Sequence, residues 1–303
     1  MRDLTLYKEP IRKHSFSDAE LELLHEHEDS LDSDANNLLT QLEIIEGVDD
    51  RKRIGNTRKA PFRWICMLDL HTTTGIFGGT GVLVSPKHVL TAGHNLDDCL
   101  RVSVTPGISG NFKPFGTYES TNFDAHNKWK LSGCDNFDIG MIKLSQSVGD
   151  RTFSSLGGNK LGYWGSASLG EGTKMIPFNQ GSQLNKKANL AGYPFDKGFD
   201  QLWWDAGKIV NGRPTVAPGL IYYKISTCGA QSGSPVWLTN PSSGSRFVIA
   251  IHSGPCIVHG AECTSTPGTR CPGSSGSRGN SSNGGVFLSS DLIKTIQGWI
   301  RSM

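Results

Sequence analysis

No stretch of the 303-residue chain approaches the roughly 18 consecutive apolar residues that a membrane-spanning helix requires, which excludes a helical membrane span. Heptads and internal repeats are also missing, and coiled coils and solenoids go with them. None of the cysteines forms a C-x-x-C pair, so zinc-ribbon and thioredoxin-type readings lose their support. An RNP-type aromatic motif and a basic helix are absent, and with them the main routes to nucleic-acid binding. The start of the chain, Met1-Arg2-Asp3-Leu4, lacks the apolar stretch of a secretory signal.

What the chain does contain is unevenly distributed. The formal net charge of +2 conceals an acidic head: residues 1–43 carry eleven Asp/Glu and four Lys/Arg, net −7, against seventeen and twenty-six in residues 44–303, net +9. A polar, acidic stretch of that kind reads first as a solvated tail with at most a helix or two. Seven cysteines, at 66, 99, 134, 228, 256, 263 and 271, exceed what a reducing compartment usually calls for and suggest export. The odd count leaves at least one of them outside any intramolecular disulfide.

From Pro61 onward, short apolar runs alternate with Gly, Pro, Asn and Ser: Trp64 to Leu68, Thr80 to Val84, Val89-Leu90, Val102 to Val104, Ile139 to Leu144, Leu220 to Ile225 and Phe247 to Ile251. This is the texture of many short strands and predicts an all-β barrel or sandwich. Residues 255–285, rich in Gly, Ser and Thr with three cysteines, read as a surface insertion, with Cys263 to Cys271 as one local bridge. Leu292, Ile293, Ile296, Trp299 and Ile300 then fall at helical spacing behind Ser290-Asp291, which suits an N-cap. The spacing predicts a terminal amphipathic helix packed on the second β unit.

Three segments carry candidate chemistry: Leu90-Thr91-Ala92-Gly93-His94, Phe137-Asp138-Ile139-Gly140, and Cys228-Gly229-Ala230-Gln231-Ser232-Gly233-Ser234-Pro235. Singly, a histidine after an apolar run, an aspartate before a strand and a serine among small residues are ordinary structural features. Acyl transfer to a hydroxyl, however, needs a base within hydrogen-bond reach, a carboxylate that fixes the base in one tautomer, and backbone donors for the oxyanion. His94, Asp138 and Ser232 supply those side chains in the order His, Asp, Ser. The G-x-S-x-G elbow of other serine hydrolases is absent, because Ala230 takes the place of its first glycine.

These motifs, with Asp50-Arg51, Asn56-Thr57, Gly79-Thr80-Gly81 and Gly192-Tyr193-Pro194, resemble the chymotrypsin-like serine peptidases and, more narrowly, the bacterial glutamyl endopeptidase group that includes the staphylococcal V8 protease. The resemblance runs from about Ile44 to the terminal helix, outside the Gly/Ser insertion. It implies two packed antiparallel β-barrels, over 44–150 and 151–303, with a C-terminal α-helix, the active site between them, and an acidic propeptide over 1–43. It further implies His94 as base and later acid, Asp138 as its orienting carboxylate, Ser232 as nucleophile, and the N–H groups of Ala230 and Ser232 as the oxyanion hole. Ala230 stands where the family usually has glycine, and its Cβ opposes any torsion reserved for glycine.

The same resemblance aligns Thr227 and His252 with the hydroxyl and imidazole that line a glutamate-binding pocket. Such groups suit a substrate carboxylate, whereas cleavage after Lys or Arg would call for an acidic side chain near Thr227, and the sequence around it has none. Gln231 replaces the aspartate that receives a newly cut N-terminus in trypsin-like zymogens, so activation is expected to differ; the bond after Glu43, before Ile44-Ile45, is the expected processing site. Cys228 and Cys256 align with a disulfide beside the pocket, while Asn95 replaces the cysteine often found after the catalytic histidine. The expected function is therefore a secreted serine endopeptidase preferring Glu, or Asp, before the cut. It would act as a monomer on protein or peptide substrates, with no nucleic-acid or membrane partner and no cofactor. A metal site from His259 with Cys256 or Cys263 lacks a fourth ligand at the usual spacing. The alternative from another class is a catalytically impaired relative that binds acidic peptides or surfaces through the same cleft.

Overall fold

Gly, Pro and Asn interrupt the β-branched and aliphatic runs of this chain, and the resulting strands form two large sheets and one small hairpin. The structure, a computed structural model, describes residue 45 and residues 48–166, 173–213, 219–256 and 282–303. The proposed propeptide, the 263–271 bridge and His259 lie outside the described residues.

The first sheet is built from β2 (Ile65–Thr72), β3 (Ile76–Leu83), β4 (His88–Thr91), β5 (Cys99–Pro106), β6 (Tyr118–Ser120), β7 (Phe123–Ala125) and β8 (Gly140–Lys143), in the antiparallel order β6-β5-β2-β3-β4-β8-β7. Helix α1 (Asn127–Ser132) interrupts it between β7 and β8; His126 Nδ1 caps the helix by accepting from the Lys128 N–H, and Gly133 ends it in the left-handed conformation. β9 (Thr152–Phe153) and β10 (Asn159–Lys160) form a small hairpin.

The second barrel comprises β12 (Lys187–Gly192), β13 (Trp203–Arg213), β14 (Leu220–Tyr223), β15 (Pro235–Thr239), β16 (Arg246–Cys256) and β17 (Ser282–Phe287) in the order β13-β12-β15-β16-β17-β14, closed by the β13–β14 pairing. β11 (Thr173–Met175) adds in parallel to β16, and the short helix α2 (Gln180–Gln183) precedes β12. β1 (Lys52–Arg53) comes from the front of the chain yet pairs with Trp203 and Trp204 of β13, so the N-terminal segment is strapped onto the second barrel.

The architecture is that of two antiparallel barrels with a terminal helix, as the resemblance implies, with three local departures. The last residues assigned to the Gly/Ser insertion, Ser282–Gly285, are a fully buried strand that pairs with both β14 and β16. Their glycines disguise it: a Cβ on Gly285 would lie 2.2 Å from the Ile251 carbonyl, so the close strand approach itself demands glycine. Pro255 and Cys256 likewise belong to β16. Finally, α3 (Ser290–Ser302) starts one residue early, with Ser289 as the cap accepting from the Leu292 N–H at 3.1 Å.

Apolar burial joins the barrels. Leu68, Leu70, Val102, Val104 and Ile142 of the first barrel share one core cluster with Trp237, Val248 and Ile251 of the second and with Leu292 and Ile296 of α3. At the junction, the fully buried Trp164 meets Trp64 (centroids 5.9 Å) and Trp237 (5.5 Å) edge to face. The Tyr193 hydroxyl is within 3.4 Å of the Ile65 carbonyl and 3.3 Å of the Ile108 carbonyl, a second bolt between the two halves.

Candidate active site

His94 follows β4 on a 3-10 turn, Gly93–Leu96, and every residue of that turn is buried. Asp138 precedes β8, which pairs with β4 in register Thr91 to Gly140; this pairing brings two residues 44 positions apart into contact. Asp138 Oδ2 meets His94 Nδ1 at 2.7 Å, and Oδ1 accepts from the His94 N–H, also at 2.7 Å. A carboxylate that grips both ring and backbone fixes the imidazole orientation and directs the Nδ1 proton toward itself, which leaves Nε2 as the acceptor. The Trp129 ring of α1 lies edge-on to the imidazole, centroids 6.3 Å apart, and its indole N–H donates to Asp97 at 3.1 Å.

Ser232 sits on the loop between β14 and β15, and long-range bonds hold this loop against the first barrel. The Ser232 carbonyl accepts from the Thr80 N–H and from Asn95 Nδ2, both at 2.9 Å, and Asn95 Nδ2 also reaches Thr91 Oγ1 at 2.9 Å. Asn95 thus ties the histidine turn to the Ser232 loop through hydrogen bonds, at the position where the resemblance leads one to expect a cysteine. The Ser232 hydroxyl donates to the Ser253 carbonyl at 3.2 Å.

Ala230 adopts the left-handed conformation, φ +69°, which an L side chain enters only at a cost of about 1 kcal/mol or more. The structure accommodates the methyl through Gly78: a Cβ there would sit 2.9 Å from that of Ala230 and 2.7 Å from the Phe199 ring. The Ala230 carbonyl accepts from Thr80 Oγ1 at 2.9 Å, the Gly229 carbonyl from the Phe195 N–H at 2.9 Å, and the Cys228 N–H donates to the Gln231 side chain at 2.9 Å. Among the described residues, neither the Ala230 N–H nor the Ser232 N–H donates to a protein acceptor. The torsion that the sequence flagged is therefore adopted, with space made for it by a neighbouring glycine.

Thr227, on the loop after β14, and His252, in β16, are both buried. The His252 backbone brackets the Ser232 loop, its carbonyl accepting from the Gly233 N–H at 2.7 Å and its N–H donating to the Ser234 carbonyl at 2.9 Å. Its Nδ1 lies 2.6 Å from the Tyr223 hydroxyl and 2.9 Å from the Gly284 carbonyl. Burial pushes the imidazole down to about 3, with only partial opposition from the Gly284 hydrogen bond.

Sequence reading missed the residues that brace this wall. Asp205 accepts from the Ser226 N–H at 2.8 Å and from the Ala206 N–H at 2.6 Å. Burial raises its carboxyl above the usual range, and both oxygens are engaged by backbone rather than turned to a substrate cation. Asn283 Nδ2 donates to the Ile225 carbonyl at 2.6 Å. These partners lie 21 and 58 positions from the residues they hold, and no local pattern marks them. Among the described residues, Cys134 is disulfide-bonded and Cys66 is a buried thiol, whereas the side chain of Cys256, and with it the bridge implied to Cys228, lies outside the described residues.

Over residues 53–274 the chain matches the trypsin family. The extracellular metalloprotease of Bacillus subtilis (strain 168) is 30% identical over 262 residues, covering 84% of this chain and 69% of its own length. The glutamyl endopeptidase of Bacillus licheniformis is 29% identical over 267 residues, with coverages of 86% and 70%. That of Staphylococcus aureus (strain MRSA252) is 27% identical over 219 residues, with coverages of 70% and 52%. The structure of a Glu endopeptidase in complex with MPD covers 86% of this chain and 100% of its own with a TM-score of 0.61; at 20% identity the likeness concerns the fold. Among the described residues, no group of three or more His, Cys, Asp or Glu side chains is placed to hold a metal ion. No described helix is long and apolar enough to cross a membrane.

Proposed function

Because the chain belongs to the trypsin family of serine peptidases, we propose that it is an endopeptidase that cleaves after glutamate, and less readily after aspartate, through an acyl-enzyme on Ser232. The observation that carries this reading is the joining of the His94–Asp138 pair to the Ser232 loop through Asn95. In the proposed reaction His94 Nε2 takes the Ser232 proton as Oγ attacks the scissile carbonyl. The Ala230 and Ser232 N–H groups receive the oxyanion, and His94 returns the proton to the leaving amine. Water then enters, His94 takes one of its protons, and attack on the acyl carbon releases the carboxylic acid and regenerates Ser232.

The glutamate preference rests on the pocket and on the named relatives. The Gly284 carbonyl can only accept, so Nδ1 of a neutral His252 carries the ring proton toward it; Nε2 takes up a second proton from solvent when a substrate carboxylate arrives beside it and donates that proton to the carboxylate, with the Thr227 hydroxyl as companion donor. Residues 1–43 are proposed to be an acidic propeptide, removed after Glu43 on a secreted protein. The test is digestion of a peptide library varied before the cut, with and without removal of residues 1–43, against a Ser232→Ala control. Cleavage after Glu that vanishes in the control supports the reading. Cleavage after Lys or Arg overturns the specificity, and an absence of cleavage in both forms favours the silent, peptide-binding alternative.

A further inference from the structure

The N-terminal strap ends in a cluster of charges that the reaction just described does not use. Arg51, whose side chain is 1% exposed, donates from Nε to Asp49 Oδ1 and from one terminal nitrogen to Asp49 Oδ2, both at 2.9 Å. Its two terminal nitrogens also embrace the Asp196 carboxylate, one of them at 3.0 Å. Lys197 Nζ closes the group on Asp49 at 2.8 Å. Hydrogen bonding to Arg51 holds the Asp49 carboxyl well below its usual range, and the two carboxylates raise the guanidinium above its own.

Asp196 and Lys197 belong to the 3-10 turn Phe195–Lys197, and the first residue of that turn donates its N–H to the Gly229 carbonyl at 2.9 Å. The Gly229 carbonyl and the Ala230 N–H are the two ends of one peptide plane. In a trans peptide they point in opposite directions, so a donor that fixes the carbonyl from behind also fixes where the N–H aims. The Ala230 torsion makes this constraint matter, because a left-handed non-glycine residue relaxes toward other conformations when its neighbours release it. Gln231, in place of an acidic residue, spends its side chain on the Cys228 N–H, so the loop offers no carboxylate to a chain terminus at that position.

We infer that the Asp49–Arg51–Asp196 cluster is the positioning device of the oxyanion hole: it anchors the N-terminal strap to the Phe195–Lys197 turn, which aims the Ala230 N–H. The inference rests on the reading of Ser232 as the nucleophile. It assigns an internal guanidinium, held on residues just downstream of the expected processing site, the control over loop geometry that a terminal amine would otherwise exercise.

The test uses the enzyme after removal of residues 1–43, with kcat and KM measured per titrated active site on a peptide containing a single Glu. Asp196→Asn and Arg51→Met are expected to lower kcat at least tenfold with KM within about threefold. Each should also weaken binding of a peptide boronate, which forms a tetrahedral adduct, more than binding of a cleaved-product peptide. Arg51→Lys, which keeps the charge but not the fork, should recover part of the loss. Phe195→Pro removes only the donor N–H from the backbone, and Pro194 already has the extended conformation (ψ 145°) that a following proline requires. It should fall at least tenfold below Phe195→Ala, which keeps the N–H, and so provides the answer if the Arg51 variant fails to fold. Variants that melt earlier but turn over normally per titrated site would show a purely structural cluster and overturn the inference while leaving the Ser232 reading intact. A wild-type enzyme that does not cleave the peptide, or cleavage that survives Ser232→Ala, would overturn both.

Discussion

The two halves of the candidate site are built differently. On the first barrel, His94 and Asp138 are locked by two 2.7 Å bonds between themselves, at the ends of two paired strands. On the second, the Ser232 loop has little internal support beyond Gln231 and is held from outside by Thr80, Asn95, Phe195 and the His252 backbone. One half is a self-sufficient pair and the other a suspended loop. Damage to the first should therefore be local and severe, and damage to the second graded and transmitted from a distance.

The largest expected effect breaks the pair. Asp138→Asn leaves the fold intact but turns the imidazole to the wrong tautomer, and kcat should fall by about 10⁴-fold, measured by single-turnover kinetics on a Glu peptide. Asn95→Ala tests the suspension. It deprives the Ser232 carbonyl of one of two donors without touching the triad, and kcat should fall roughly ten- to a hundredfold while fluorophosphonate labelling persists at a reduced rate. An effect as large as that of Asp138→Asn would erase the distinction between the halves.

His252 sharpens the comparison on the pocket side. His252→Ala should lower kcat/KM for Glu peptides about tenfold or more and reduce the preference for Glu over Gln before the cut; an unchanged preference would refute the pocket assignment. The buried imidazole also makes a pH prediction. Its folded-state pKa of about 3 lies below the unfolded value near 6.5, so across that window the unfolded chain binds the extra proton. Its contribution to stability is fully present above pH 6.5 and is lost as pH falls toward 3, by up to about 1.4 kcal/mol per pH unit. Melting temperatures of wild type and His252→Gln should therefore diverge between pH 6.5 and 4 after correction for their difference at pH 8. The smallest effect is expected for Ala230→Gly. The left-handed strain is relieved, the unfolded chain gains entropy, and both stability and kcat should stay within about 1 kcal/mol and threefold of wild type.

The contrast also explains what the sequence disclosed. His94, Asp138 and Ser232 each lie in a contiguous motif beside a strand, and the strands at Ile65–Thr72, Cys99–Pro106, Gly140–Lys143 and Leu220–Tyr223 follow apolar runs. Strands Lys187–Gly192, Trp203–Arg213 and Ser282–Phe287 do not stand out, because glycine, lysine and serine occupy positions where close strand approach or solvent contact matters more than bulk, and Pro235–Thr239 is masked by the proline that opens it. Thr80, Asn95, Asp205 and Asn283 act through contacts between distant segments, and a polar residue that will find its partner 137 positions away, as Asn95 does with Ser232, looks like any other. Ala230 was visible as a departure from the family pattern, but the compensating gap at Gly78 becomes apparent only when two barrels are packed together.

The most direct test of the central claim is intact-mass and peptide mapping of the processed protein after exposure to a fluorophosphonate. The account predicts one adduct per chain, on Ser232, formed rapidly in the wild type and lost in His94→Ala. Peptide cleavage by a protein that carries no adduct, or an adduct on another residue, would contradict it.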